Sequence, residues 1–299
     1  MKITFLGTGS PEPSPRRASS GYLVEVGGER LLLDVGGGVY DRLIQAGLGP
    51  TKVDRLFFSH LHSDHMMDYA RLVHGGWDAG KGLLGSKPLA VFGPPPIGEI
   101  HQRLFGDQGV FAHDIAARVG FPGSQEIWVE RGGSLPRPGP VVDLTEIEPG
   151  FEIETEAWKL TSISVPHAQP FLVCMAYRIT DKATGTSVVY SGDAGHDQAF
   201  ADFCAGADML VHWCYRMGHE VFNEHVMKFS PAPADIAAMA QSRGVKQLAL
   251  THMRSSVDDL GHHAQALADA REHFAGPLVI AEDLGHWDGQ FHNCTDVAD

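Results

Sequence analysis

The stretch His60-Leu61-His62-Ser63-Asp64-His65 decides the fold of this chain, because it places four metal-binding side chains within six residues. It follows residues 53–59, an apolar run that is typical of a buried strand. Side chains two apart on an extended segment point the same way, so the first two histidines and the aspartate can converge. The last histidine enters a helix expected over residues 64–73, where it can face a second metal ion.

Four ligands do not complete two metal sites, so the pattern predicts further ligands from distant loops. His167, Asp193 and His252 are the candidates, since each directly follows an apolar run that ends in a polar cluster. We expect Asp193 to bridge the two ions. The expected partition is His60, His62 and His167 on one ion, and Asp64, His65 and His252 on the other.

This set of imidazoles and carboxylates suits two divalent metal ions, zinc first, with manganese or iron as alternatives. Two adjacent ions can hold a hydroxide deprotonated at neutral pH and clamp the oxygens of a displaced group. We therefore predict a dinuclear hydrolase that uses a metal-bound hydroxide, with Asp64 as both ligand and catalytic residue. His212 ends another strand and is the first candidate for the proton donor. Asp34 ends a further strand, where it either orients a ligand histidine or caps the glycine turn that follows.

The order of elements predicts a four-layer αββα sandwich. Strands run one after another through residues 141–191 without an intervening helix, which fits two facing sheets better than one doubly wound parallel sheet. The last strand is expected over residues 277–281. We predict a single domain over 1–299, with an insertion or lid at about 97–140 and a flap at about 213–229.

The composition of the chain indicates which partners and which cellular location to expect. Asp and Glu number 37 against 23 Lys and Arg, a formal charge of −14, whereas proteins that bind nucleic acid carry a basic surface. A nucleic-acid partner is therefore expected to be unlikely, and a small-molecule substrate is expected instead. Four widely spaced cysteines indicate no disulfide framework, and no run is apolar enough for a membrane span. We expect a soluble cytoplasmic protein.

The sequence resembles the metallo-β-lactamase superfamily. The resemblance rests on Phe5-Leu6-Gly7-Thr8-Gly9-Ser10, on the glycine turn after Asp34, and on residues 59–65. These segments are similar to the branch that contains ribonuclease Z, related arylsulfatases and phosphodiesterases. The resemblance implies the αββα fold, the dinuclear site and a homodimer.

The chain departs from ribonuclease Z in two segments. That family carries His-Glu-Ala-Thr where this chain has His212-Trp213-Cys214-Tyr215, and His-Ser-Thr where this chain has Phe229-Ser230-Pro231. The first prediction is therefore hydrolysis of a small-molecule ester, lactone, sulfate ester or phosphodiester. A ribonuclease Z-like RNA-processing endonuclease is the alternative, and a non-catalytic metal-binding protein is a second alternative.

Overall fold

Two mixed β-sheets face each other at the centre of the fold, which is described by a computed structural model over residues 1–79 and 88–296. The first sheet has the spatial order β15-β14-β1-β2-β3-β4-β5-β6. Its strands are β1 (Lys2–Gly7), β2 (Gly21–Val26), β3 (Glu29–Leu33), β4 (Arg55–Phe57), β5 (Leu89–Gly93), β6 (Val142–Glu146), β14 (His286–Trp287) and β15 (Phe291–His292).

The second sheet contains seven strands in the order β13-β12-β11-β10-β9-β8-β7. They are β7 (Glu152–Glu154), β8 (Trp158–Ser164), β9 (Met175–Asp181), β10 (Ser187–Tyr190), β11 (Met209–Trp213), β12 (Leu248–Thr251) and β13 (Leu278–Ile280). Strands β10 to β13 pair in parallel, so their carboxyl ends lie at one edge of the sheet.

Helices cover the outer face of each sheet. Those between the strands of the first sheet are α1 (Val39–Gln45), α2 (Ser63–Met66), α3 (Tyr69–Ala79), α4 (Ile97–Phe105), α5 (Ala112–Gly120) and α6 (Pro122–Glu130). Those between the strands of the second sheet are α7 (Gln198–Phe203), α8 (Glu224–Phe229), α9 (Pro233–Ser242) and α10 (Leu260–Arg271).

Three apolar clusters separate these layers. One lies between the sheets and includes Tyr22, Trp158 and Tyr177. A second joins the first sheet to α1, α3 and α4, and a third joins the second sheet to α7, α9 and α10. Helix, sheet, sheet and helix therefore succeed one another, which confirms the predicted αββα sandwich.

The structure refines two sequence-based expectations. The strand run over 141–191 divides between the sheets, because β6 pairs with β5 and β7 pairs with β8. The helix expected over 64–73 is two helices, α2 and α3. The side chain of Asp68, between them, accepts hydrogen bonds from the amides of Gly38 and Tyr40 and so anchors the start of α1.

The insertion at 97–140 contains three helices, α4, α5 and α6. Helix α4 packs on α3, where His101 Nδ1 lies 2.8 Å from the Tyr69 hydroxyl. Helix α5 carries no buried side chain. The role of this insertion as a lid stays a prediction, as does that of the flap at 213–229.

Candidate metal centre

The first half of the candidate centre joins the loop after β4 to the loop after β8. One ligand atom each from His60, His62, His167 and Asp193 lies within 4.8 Å of the others. The Nδ1 atom of His62 is 3.0 Å from Nε2 of His60 and 3.3 Å from Nε2 of His167. The fold thus brings together side chains that are 105 residues apart in sequence.

The second half joins α2 to the loop after β12. Ligand atoms of Asp64, His65 and His252 again lie within 4.8 Å of one another, and all three residues are buried. The Oδ2 atom of Asp64 is 3.1 Å from Nε2 of His252 and 3.5 Å from Nε2 of His65. This is the second ligand group that the sequence predicted.

Asp193 lies between the two halves. Its Oδ1 is 3.4 Å from Nε2 of His65, and its Oδ2 is 3.4 Å from Nε2 of His252. The same Oδ2 is 3.6 Å from Nε2 of His167 and 4.0 Å from Nε2 of His60. One buried carboxylate therefore faces ligands of both groups, which is the position expected of a bridge.

The protonation states of these side chains fit a cation site. Burial lowers the pKa of His167 to about 4 and holds the pKa of His60 well below its ordinary value, so both rings are neutral and offer a lone pair. For His65, burial acts to lower the pKa, but the charges of Asp193 and Asp34 outweigh it and raise the pKa well above its ordinary value. The carboxylates thus make this position attractive to positive charge.

Buried polar atoms without a partner give a second test of the fit. The Nε2 of His65, the Oδ1 of Asp193 and the Nδ1 of His252 are buried and have no hydrogen-bond partner among the residues that the structure describes. Orphaned polar atoms of this kind are rare in folded proteins and require an explanation. Divalent metal ions bound by the cluster would satisfy the first two, so the residues present fit such ions.

Asp34 supports the second half from behind. Its Oδ2 is 2.8 Å from Nδ1 of His65 and accepts hydrogen bonds from the hydroxyls of Ser59 and Tyr190. Its Oδ1 accepts from the Ser59 amide. Asp34 was expected either to orient a ligand histidine or to cap the glycine turn, and its contact with His65 favours the first role. The part played by Tyr190 was missed, because only the pairing of sheets reveals that its hydroxyl reaches this carboxylate.

The structure does not bring His212 to the centre. Side chains alternate along β11, and the neighbours on its face, Leu210 and Cys214, pack in the cluster beneath the outer helices. The His212 Nε2 lies 3.0 Å from Nε2 of His196, and its Nδ1 donates to the Trp213 carbonyl oxygen. The expectation that His212 faces the ions as a proton donor is thus corrected: a strand end brings only every second side chain to the site.

Aromatic side chains form the adjoining wall of the centre. The Trp213 ring lies 5.3 Å from the His167 ring and 5.6 Å from the His252 ring. The half-buried Tyr215 ring lies 6.1 Å from Trp213 and 6.2 Å from His252. The Arg254 guanidinium covers the other side of Tyr215 at 5.0 Å. We call Trp213, Tyr215 and Arg254 the aromatic wall.

Comparisons with known proteins agree with this geometry. A family model described as Anti-Pycsar protein Apyc1 matches residues 1–72. Ribonuclease Z of Mycobacterium bovis (strain BCG / Pasteur 1173P2) is 28% identical over 293 residues, which cover 95% of this chain and 96% of that protein. Ribonuclease Z of Mycolicibacterium paratuberculosis is 29% identical over 289 residues, with the same coverage.

Solved structures show the same fold. The metallo-β-lactamase fold protein YhfI from Bacillus subtilis superposes with a TM-score of 0.71 at 23% identity, covering 96% of this chain and 99% of that one. The chain therefore has the metallo-β-lactamase fold. The short form of human tRNase Z superposes with a TM-score of 0.65 at 18% identity, covering 97% and 100% of the two chains.

The similarity to ribonuclease Z over 95% of the chain, together with the metallo-β-lactamase fold, confirms the resemblance seen in the sequence. The chain is a metallo-β-lactamase-fold hydrolase whose ligand cluster suits divalent ions. The expectation that nucleic acid is an unlikely partner is at odds with relatives that are ribonucleases, because net charge describes the whole surface and not the site. Within the described ranges, no helix is both long and apolar enough to span a bilayer.

Proposed function

We propose that this metallo-β-lactamase-fold protein is a metal-dependent phosphodiester hydrolase, with RNA as its first candidate substrate. The observation that carries the proposal is the close grouping of all seven predicted ligand residues in a chain that aligns with ribonuclease Z over 95% of its length. Zinc is the ion we expect, two per chain, and the homodimer and cytoplasmic location remain predictions.

The chemistry follows from the placement of the ligands. Two divalent ions held by the two halves would supply an activated water and neutralise charge on a phosphoryl group. Asp193 fixes the spacing between the halves, and Asp34 fixes the orientation of the His65 ring. Groups that are fixed in place before the reaction lower its barrier, because they need no rearrangement as charge develops.

A second candidate substrate is a small phosphodiester that carries a nucleobase or aryl group. The aromatic wall favours it, because Trp213 stands beside ligands of both halves and Tyr215 is half-buried next to it. Flat apolar rings of this kind stack on nucleobases without regard to sequence. The wall occupies the segment in which ribonuclease Z carries an acidic residue, so it separates the two candidates.

The substrate panel that tests the proposal contains a 3′-extended tRNA precursor, the p-nitrophenyl ester of thymidine 5′-phosphate, a chromogenic carboxylic ester, a lactone and an aryl sulfate. Each is assayed with zinc or manganese, with Asp64→Ala as the inactive control, at two salt concentrations. We expect cleavage of phosphodiesters and little turnover of the others. Cleavage of the precursor would select RNA, and its rate should fall with salt.

Turnover of the nucleotide ester without cleavage of the precursor would select the second candidate. Turnover of the carboxylic ester, lactone or sulfate alone would overturn the proposal in favour of the other small-molecule reactions that the sequence allowed. A fully metallated protein that hydrolyses no member of the panel would support the non-catalytic metal-binding alternative.

A further inference from the structure

A second group of metal-ligating side chains lies on the last hairpin of the chain, outside the centre described above. It consists of His286 on β14, Asp288 in the turn and His292 on β15, which we call the hairpin triad. One ligand atom from each residue lies within 4.8 Å of the others. None of these three residues takes part in the proposed hydrolysis.

Strand pairing sets the two histidines against each other. His286 and His292 are direct partners across the antiparallel hairpin, and their rings are nearly parallel with centroids 4.6 Å apart. The Asp288 Oδ1 is 3.0 Å from Nε2 of His292. Cross-strand neighbours are held at such short range by the backbone, so little side-chain freedom is lost on binding an ion.

The hairpin itself is anchored. Trp287, between the two ends of the triad, is buried, and its Nε1 donates to Oε1 of Gln247 at 3.0 Å. The Gln247 amide in turn donates to the carbonyl oxygen of Gly289 in the turn. Since Trp287 points into the core, the alternation of side chains turns His286 to the outer face, where it is half-buried and open to a solvent ion.

We propose that the hairpin triad is a separate binding site for one transition-metal ion, with zinc or nickel as the ions of matching preference. Two imidazoles and one carboxylate are the ligand types that these ions select over magnesium or calcium. Three protein ligands leave the fourth position of the ion for a water molecule, which the solvent-facing side of the hairpin can supply. The site lies at one end of the first sheet, where it joins β14 to the terminal strand β15.

A bound ion would strengthen that edge. β15 is the terminal strand of the first sheet and is only two residues long, and β14 pairs with β1 through Ile3 and Thr4. The few backbone hydrogen bonds of so short a hairpin stabilise it only weakly. An ion bound to both β14 and β15 would add a link between the two strands. The ion therefore protects the edge from opening and from pairing with another chain.

The test counts metal ions in variants of the full-length protein. Wild type, His286→Gln/His292→Gln and a matched control, His273→Gln, are dialysed against the same buffered zinc concentration and analysed by inductively coupled plasma mass spectrometry. His273 is an exposed histidine that belongs to neither metal group. We expect the double variant to bind one ion fewer per chain than wild type, and the control to bind the same number.

Hydrogen exchange supplies a second readout that does not depend on activity. Zinc should slow exchange of the β14 and β15 amides in wild type and leave it unchanged in the double variant. Equal metal counts in wild type and a folded double variant would overturn the proposal. Loss of every ion in the double variant would also overturn it, because the triad would then not be separate from the main centre.

Discussion

The Asp34 carboxylate lies 2.8 Å from Nδ1 of His65, and both side chains are fully buried. This contact leaves the opposite ring nitrogen, Nε2, directed at Asp64 and Asp193. A carboxylate behind a ligand histidine fixes its tautomer and its orientation. Metal affinity should therefore depend on a residue that does not itself face the ions.

Replacing Asp34 by Asn tests this dependence. The substitution keeps the volume of the side chain but removes its charge, so we expect metal affinity to fall by about 10- to 100-fold. Zinc binding measured in competition with a chromogenic chelator reports the change. A folded Asp34→Asn variant with wild-type affinity would show that the contact only packs the turn.

Removal of the metal ions should lower the free energy of unfolding. A ligand that binds only the folded state contributes about 4 kcal/mol at a thousand times its dissociation constant. Asp193→Ala should lose most of this gain, because Asp193 faces both halves of the centre. His167→Ala should keep part of it, since His167 belongs to one half. Denaturation with zinc or with chelator measures the difference, and equal losses in the two variants would contradict the bridging position.

Tyr215 should recognise a base rather than the phosphate. If a nucleobase stacks on its ring, Tyr215→Ala should raise KM by about 5- to 150-fold for the p-nitrophenyl ester of thymidine 5′-phosphate. Methyl p-nitrophenyl phosphate, which has no base, should show a much smaller change, and Tyr215→Phe should restore the nucleotide value. An equal rise in KM for both substrates would mean that the ring only supports the fold around Arg254.

The contact between half-buried His196 and buried His212 predicts loss of stability in acid. Burial lowers the pKa of His196 from 6.5 to about 4. The unfolded state then binds more protons than the folded state between pH 6.5 and about 4, so the free energy of unfolding falls as the pH falls through this window. At pH 5 the loss from His196 is about 2 kcal/mol.

His196→Gln should reduce this pH dependence by a similar amount. Urea denaturation of both proteins at pH 7 and pH 5, with chelator present, gives the two differences to compare. The histidines of the metal centre titrate in both proteins, so their contribution cancels. If the variant loses as much free energy of unfolding between pH 7 and pH 5 as wild type does, His196 does not contribute to the acid sensitivity and the prediction is wrong.

Substitutions at two neighbouring glycines, Gly36 and Gly37, test how closely the backbone packs against the metal centre. A Cβ at Gly36 would lie 2.0 Å from the Asp64 carbonyl oxygen, whereas at Gly37 the nearest atom is 3.9 Å away. Gly36→Ala should therefore displace α2 and destabilise the protein by about 1–3 kcal/mol, with weaker metal binding. Gly37→Ala should have little effect on either property. Similar results for both substitutions would contradict the close approach.

The ligands could be predicted from the sequence because each follows a strand. Asp193 and His252 were expected near the motif at 60–65 because each follows an apolar run that ends in a polar cluster, and the structure brings them there. His212 was misplaced because the same rule does not say which face a side chain takes. A one-residue difference decides between Trp213 at the site and His212 under the helices.

The remaining differences arise from contacts that the sequence does not display. Asp68, at the break between α2 and α3, accepts hydrogen bonds from the amides of Gly38 and Tyr40, 28 to 30 residues away. The hairpin of β14 and β15 has two-residue strands, which are too short for an alternating pattern to be recognised. The last strand was therefore expected at 277–281, and the hairpin triad beyond it had no predicted structure.

The division of the ligands between the two sheets has a consequence for the order in which the protein is made. The motif at 60–65 emerges from the ribosome early, but Asp193 and His252 are synthesised much later and lie on the opposite sheet. A nascent chain that ends before residue 252 can hold only an incomplete set of ligands. We therefore expect metal loading to be a late event in biogenesis, one that requires the two sheets to have come together.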